Sequence, residues 1–185
     1  MNKPRVILKE EKFRLCLERL AEQLIETYND FDGVCIIGIQ EKGVLLSKRL
    51  LDIINLKKKK NSLLSGILDI TFYRDDFRTR NKPLKANETD ISFLLDGKKV
   101  ILVDDVLYSG RTIQSALSAL QDFGRPKSVQ LLVMVDRRFN RHVPIQADYI
   151  GTTVDAVDEA YVKVEHEAID GKDQILLFSV KRQSN

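Results

Sequence analysis

The chain has 185 residues, a length that suits one domain, with 43% hydrophobic residues, 31% charged residues and a net charge of +3. No apolar run approaches the roughly 20 residues of a membrane span, and the N-terminal MNKPRVILKEEKF lacks the apolar core of a secretory signal. Composition therefore excludes a membrane protein and makes the cytoplasm the expected location. Cys16 and Cys35 lie in apolar contexts and read as buried free thiols, and His142 and His166 stand apart from any cysteine, which argues against zinc.

Taken in chain order, the first element is an amphipathic helix. Phe13, Cys16, Leu17, Leu20, Ala21, Leu24, Ile25 and Tyr28 recur at i, i+3, i+4 spacing. Val34 to Ile39 (VCIIGI) is wholly apolar, as expected of a strand buried on both faces of a parallel sheet. A second helix is expected from Val44 to Leu56, and the run Lys57 to Lys60 reads as a solvated loop, with nucleic-acid contact as its alternative. After a strand from Leu64 to Phe72, the charged segment Tyr73 to Leu95 reads as a flexible lid loop. Val100 to Val103 is the next core strand, Arg111 to Phe123 a helix stopped by Gly124 and Pro126, and Val129 to Val135 another strand. Tyr161 to Glu165 and Gln174 to Val180 read as a terminal hairpin around Asp170-Gly171.

This alternation predicts an α/β domain with a doubly wound parallel sheet, whose ligands gather at the carboxyl ends of the strands. Three strands end in polar loops there: QEKG after Ile39, DDVLYSG after Val103 and DRRFNRH after Val135. The middle loop is the most informative. In VILVDDVLYSGRT (Val100 to Thr112) a buried strand leads to paired acids, then to a small-residue turn and a helix. Ser109, Gly110, Arg111 and Thr112 offer unpaired N–H groups, hydroxyls and a helix N-terminus, which suit a phosphate. Asp104 and Asp105 stand just ahead and can accept hydrogen bonds from the hydroxyls of a sugar beside that phosphate. The acid pair alone would fit an ordinary capped strand-to-helix junction; the complete run is far more specific.

That run resembles the signature by which type I phosphoribosyltransferases bind 5-phosphoribosyl 1-diphosphate (PRPP). With DITFYRDD (Asp69 to Asp76), FGRPKSVQLLVMVDR (Phe123 to Arg137) and VPIQADYIG (Val143 to Gly151), the chain more narrowly resembles the PyrR family of pyrimidine-operon attenuation regulators with uracil phosphoribosyltransferase activity. The resemblance implies a single domain over 1–185, with a lid at 73–95, a small hood, and a C-terminal hairpin and tail at 152–185. It implies Mg²⁺-dependent transfer from PRPP to uracil, giving UMP and pyrophosphate. Asp104 and Asp105 would be catalytic, and Val106, Leu107, Tyr108, Ser109, Gly110, Arg111 and Thr112 would hold the ribose and 5-phosphate. Glu41, Lys42, Gly43 and Arg74 would bind pyrophosphate, and a cis peptide is expected in the first of these loops. Asp136 and Arg137 would bind the base, while Mg²⁺ would be carried mainly by PRPP. Where the family usually has Thr-Arg, this chain has Glu41-Lys42, which keeps the charge and loses the fork. The stretch Arg138 to His142 is one residue longer than the family pattern.

The family also implies a homo-oligomer and an RNA-binding face on the first helix and the region after ADYIG. Here Arg19 is accompanied by Glu18, Glu22, Glu26, Asp155, Asp158 and Glu159, acids that oppose phosphate binding. The enzyme is therefore the leading reading; RNA attenuation and transfer to another base stay open.

Overall fold

The computed structural model describes residues 4–59, 63–74, 88–156 and 160–178. Its centre is a five-stranded sheet built from β2 (Val34–Ile39), β3 (Leu64–Leu68), β4 (Lys99–Leu107), β5 (Ser128–Arg138) and β6 (Tyr149–Asp155), in the order β3-β2-β4-β5-β6 with every pairing parallel. All six residues of β2 are buried, as is the VILVD segment of β4, because helices cover both sides of the sheet. Helices α1 (Glu10–Tyr28) and α2 (Lys42–Lys58) pack on one face, where Phe13, Leu17, Leu20, Leu24, Leu46, Leu50 and Ile54 meet Ile36, Ile101 and Val103. On the other face α3 (Arg111–Leu120) sets Ile113, Ala116, Ala119 and Leu120 against Ile37, Leu102 and Val133.

A second, smaller sheet forms the hood. It joins β1 (Arg5–Leu8), β8 (Gln174–Phe178) and β7 (Tyr161–Glu165), all antiparallel, with a short α4 (Glu167–Asp170) between β7 and β8. The expected hairpin is therefore present, but it turns through α4 and a left-handed Gly171 (φ 75°). Arg49 of α2 donates to the two carboxylate oxygens of Asp173 from Nη1 and Nη2, at 2.7 and 2.6 Å, and fixes the hood to the main body. Asp173 is only 5% exposed, so this fork compensates its burial.

Several expected boundaries move. Lys57 and Lys58 form the last turn of α2, where cations complement the helix dipole, rather than a loop. The helix expected from Arg111 to Phe123 ends at Leu120 and tightens into a 3-10 turn over Gln121–Phe123, before Gly124 at φ 119°. β3 stops at Leu68, and Thr71–Tyr73 form a 3-10 turn. Most of the expected lid, 75–87, lies outside the described residues; within 88–95, Asp90 bridges to Ile67 and Leu95 is fully buried. β6 runs through to Asp155, past the position where the C-terminal segment was expected to begin. Cys16 and Cys35 are free thiols. Among the described residues no helix is long and apolar enough to cross a membrane.

Candidate active site

The chain order reverses between β2 and β4, the crevice in which open parallel sheets bind ligands. Gly38 pairs with Val103 across that gap, so the loops after β2 and β4 emerge side by side. Leu107 pairs with Asp136 on the other flank, which brings the end of β5 beside the same loop. The three loops expected to share one cleft are thus held by adjacent strands.

Asp104 and Asp105 belong to β4 itself rather than to the loop after it, because the ladder to β5 continues through Val106 and Leu107. Asp104 is 7% exposed, and its carboxylate accepts a hydrogen bond of 2.9 Å from the Asp105 amide. Burial, followed by the charge of Asp105, holds the Asp104 carboxyl well above the usual carboxylate range. Asp105 is also pushed up by burial, against the opposing pull of Lys42. Two adjacent carboxylates at one largely buried strand end are costly, and perturbed groups of this kind cluster at functional sites.

The Lys42 ammonium lies 3.8 Å from Asp105 and donates to the main-chain carbonyl of Val164 in the hood. It thereby joins the loop after β2, the acid pair and β7. The peptide between Gln40 and Glu41 is cis, as expected, and Glu41 is exposed at the start of α2. Gly43 is where α2 touches β4: a Cβ there would lie 2.3 Å from the Val103 carbonyl oxygen. Only glycine permits this approach.

Beyond Leu107 the chain turns through Tyr108 and Ser109 to Gly110, whose φ of 88° makes it a left-handed cap for α3. The Ser109 hydroxyl accepts from the Arg111 amide at 3.4 Å, and the Gly110 carbonyl accepts from Gln114. Arg111 is exposed, and its Nε donates to Nδ1 of His142 at 3.4 Å. Thr112 follows in the first turn of α3. This is the geometry of an anion site at a helix N-terminus.

Asp136 and Arg137 lie inside β5, not after it. The Asp136 carboxylate accepts from the Arg141 guanidinium, and the Arg137 guanidinium stacks 4.0 Å from the centre of the Tyr108 ring. Both are nearly buried, Arg137 at 4% exposure, so they brace the wall between the β4 and β5 loops. Arg74 ends the 3-10 turn Thr71–Tyr73; its neighbour Tyr73 donates to Asp122 beyond α3. Two participants escaped the sequence reading. Arg141 lies in the polar loop DRRFNRH that was expected to face the cleft but was given no role of its own, and His166 is 1% exposed beneath the hood with its ring edge-on to Phe13 at 5.8 Å.

A parallel sheet with an acid pair at the end of one strand, a glycine turn at a helix N-terminus and a lysine-bearing loop at its switch point is the architecture of a phosphoribosyltransferase. The phosphoribosyl transferase domain model matches residues 6–169. Fold comparison agrees: the hypoxanthine phosphoribosyltransferase of Trypanosoma cruzi superimposes with a TM-score of 0.70 over 96% of this chain and 97% of its own, at 16% identity. The Staphylococcus aureus hypoxanthine phosphoribosyltransferase does so with a TM-score of 0.67 over 96% and 92%, at 21% identity. Proteins named bifunctional protein PyrR are much nearer in sequence. That of Caldicellulosiruptor bescii is 38% identical over 99% of this chain and 100% of its own length. Those of Bacillus subtilis and Gloeothece citriformis are 39% and 43% identical, over 96% and 93% of this chain and 98% and 96% of theirs. The chain belongs to the PyrR family of phosphoribosyltransferases.

Proposed function

We propose that the cleft transfers the phosphoribosyl group of PRPP to a ring nitrogen of uracil, releasing pyrophosphate and forming UMP. The observation that carries this reading is the adjacent pair of buried Asp104 and half-buried Asp105, set between the turn Ser109–Thr112 and the ammonium of Lys42. The 5-phosphate occupies the N-H groups and hydroxyls at Tyr108 to Thr112, with Val106 and Leu107 leading into them. Asp104 and Asp105 accept from the ribose hydroxyls. Departure of pyrophosphate leaves positive charge on the ribose ring, and the acid pair stabilises it in a site with little water. Lys42, Gly43 and the amides near Glu41 face the diphosphate end, with Arg74 as the cation of the adjoining segment. The base lies beside the end of β5, where Asp136 and Arg137 hold the wall that shapes its pocket.

Mg²⁺ would be carried mainly by the oxygens of PRPP, with the hard carboxylate oxygens of Asp104 and Asp105 facing it, and would supply charge neutralisation for the leaving diphosphate. Chelation with EDTA is expected to abolish turnover, and added Mg²⁺ to restore it. The decisive assay is pyrophosphate release from PRPP and Mg²⁺ with uracil, orotate, hypoxanthine and xanthine in turn. Uracil is the expected substrate; no turnover with it refutes the assignment, and turnover with another base transfers the role to that base.

RNA control is a second reading, supported by the bifunctional name of the relatives. The α1 and β6 region speaks against a strong RNA face. Arg14 pairs with Glu18, Arg19 donates to the carbonyls of Ile150 and Gly151, Lys57 meets Glu22, and Arg138 forks onto Asp155. These cations already have partners, and the acids among those partners reduce the positive field that a phosphate would meet. Affinity for a pyrimidine-operon leader transcript that exceeds that for an unrelated hairpin across a salt series would establish the second role. The same reading makes the protein a one-domain cytoplasmic homo-oligomer, which sedimentation analysis tests.

A further inference from the structure

The Arg141 side chain makes five hydrogen-bond contacts beside the cleft. Its Nε donates to the carbonyl of Ile145 at 3.2 Å, and its Nη1 reaches the carbonyls of Leu107 at 3.3 Å, Arg137 at 3.1 Å and Tyr108. Its Nη2 donates to Oδ1 of Asp136. Nη1 carries two hydrogens and meets three carbonyls, so one hydrogen is shared. The residues next to Arg141 continue the pattern: the amides of His142 and Val143 both donate to the carbonyl of Ser109, at 2.9 and 3.2 Å. Three successive carbonyls of the phosphate turn, those of Leu107, Tyr108 and Ser109, are thus drawn to one side by the single segment Arg141–Val143.

The peptide plane converts this into a statement about the opposite side. In a trans peptide the N–H points away from the C=O of the same unit. The unit carrying the Leu107 carbonyl carries the Tyr108 N–H; likewise Tyr108 carries that of Ser109, and Ser109 that of Gly110. Holding the three carbonyls toward Arg141–Val143 therefore turns three consecutive amide hydrogens away from it, as a concave anion cradle requires. Gly110 packs on the same segment: a Cβ there would lie in ordinary contact with Val143, at 3.4 Å.

We propose that Arg141 is a positioning residue that shapes the phosphate cradle, acting on substrate only through the carbonyls of Leu107 and Tyr108. The idea rests on the reading that Tyr108 to Thr112 bind the 5-phosphate of PRPP. Arg141 also holds Asp136 and the Arg137 carbonyl, so the same guanidinium sets the spacing between the phosphate turn and the base-side end of β5. A lysine at this position reaches one or two of these acceptors, because its ammonium lacks the planar fork.

The test compares the full-length wild-type protein with Arg141→Met and Arg141→Lys. Ribose 5-phosphate and pyrophosphate are titrated separately by calorimetry, and KM for PRPP is measured with Mg²⁺. Arg141→Met is expected to weaken ribose 5-phosphate binding and raise the KM for PRPP by about tenfold to a hundredfold. Pyrophosphate affinity, which depends on the loop after β2, should stay within about twofold. Arg141→Lys should fall between, with a melting temperature near that of wild type. A general loss of structure would weaken both ligands together, and that result overturns the proposal. Unchanged ribose 5-phosphate affinity in either folded variant also overturns it while leaving the enzymatic reading intact. Failure of wild-type protein to bind ribose 5-phosphate removes the reading of the cradle itself, and the positioning role with it. If Arg141→Met does not fold, Arg141→Lys decides: wild-type affinity refutes, and selective loss for the phosphorylated sugar supports.

Discussion

Phenylalanine at position 166 keeps an aromatic ring against Phe13 while removing two imidazole nitrogens that have no hydrogen-bond partner among the described residues. His166 is surrounded by mixed charges: Lys42 at the start of α2, Arg49 further along it, and Asp170 and Asp173 in the hood. Burial, and then the two cations, push the imidazole down from 6.5 to about 4, against the weaker pull of the two acids. Between those values the unfolded chain binds a proton that the folded chain refuses, so unfolding is favoured as pH falls. The stability contributed by a neutral His166 is fully present above pH 6.5 and is lost as pH drops toward 4. At about 1.36 kcal/mol for each pH unit, the gap is worth about 3 kcal/mol. Urea unfolding followed by circular dichroism at several pH values from 7.5 to 4 gives the free energy for wild type and His166→Phe. Every other titrating group is common to both, so the difference isolates the imidazole. The wild type is expected to lose about 3 kcal/mol more than the variant over this range, with similar denaturant slopes. Parallel curves for the two proteins would refute the reasoning.

Replacing Asp104 and Asp105 together by asparagine should lower turnover by about 10²- to 10³-fold with the circular dichroism spectrum preserved; near-normal activity defeats the assigned roles. Asp104→Asn alone should raise the melting temperature at neutral pH, since the buried charge repelled by Asp105 is removed, and a lowered melting temperature contradicts that account. Arg49→Met leaves the Asp173 carboxylate buried without its fork and should cost roughly 3 kcal/mol, measured by denaturant unfolding. Gly43→Ala forces a methyl group against the Val103 carbonyl and should destabilise by about 1 to 3 kcal/mol while weakening pyrophosphate binding; wild-type stability and product inhibition would show that the contact is relaxed.

The parallel sheet was legible because strands buried on both faces must be apolar throughout, and VCIIGI and VILV meet that demand. Where a strand carries acids, that signal inverts. Asp104, Asp105 and Asp136 read as loop residues, yet they lie in ladders fixed by their apolar neighbours. β1 went unread for another reason: two exposed and two half-exposed residues at the edge of a small sheet show little pattern, and their partner β8 is nearly a whole chain away. Arg141 was hidden because four of its five acceptors are main-chain carbonyls, which no side-chain sequence can announce. His166 carried no signal beyond its solitary position.

The pairing of Arg5 with Leu177 has a consequence for the order of events during synthesis. The five-stranded sheet is complete once β6 has left the ribosome, and its helices can pack at that point. The hood cannot, because β1 must wait for β8. Until then Lys42 lacks the Val164 carbonyl and Arg49 lacks Asp173. A nascent chain therefore passes through a stage with a formed sheet and an unfinished cleft, and long-range strand pairing of this kind is slow. The contacts that join Lys42 and Arg49 to the hood are in that sense made late.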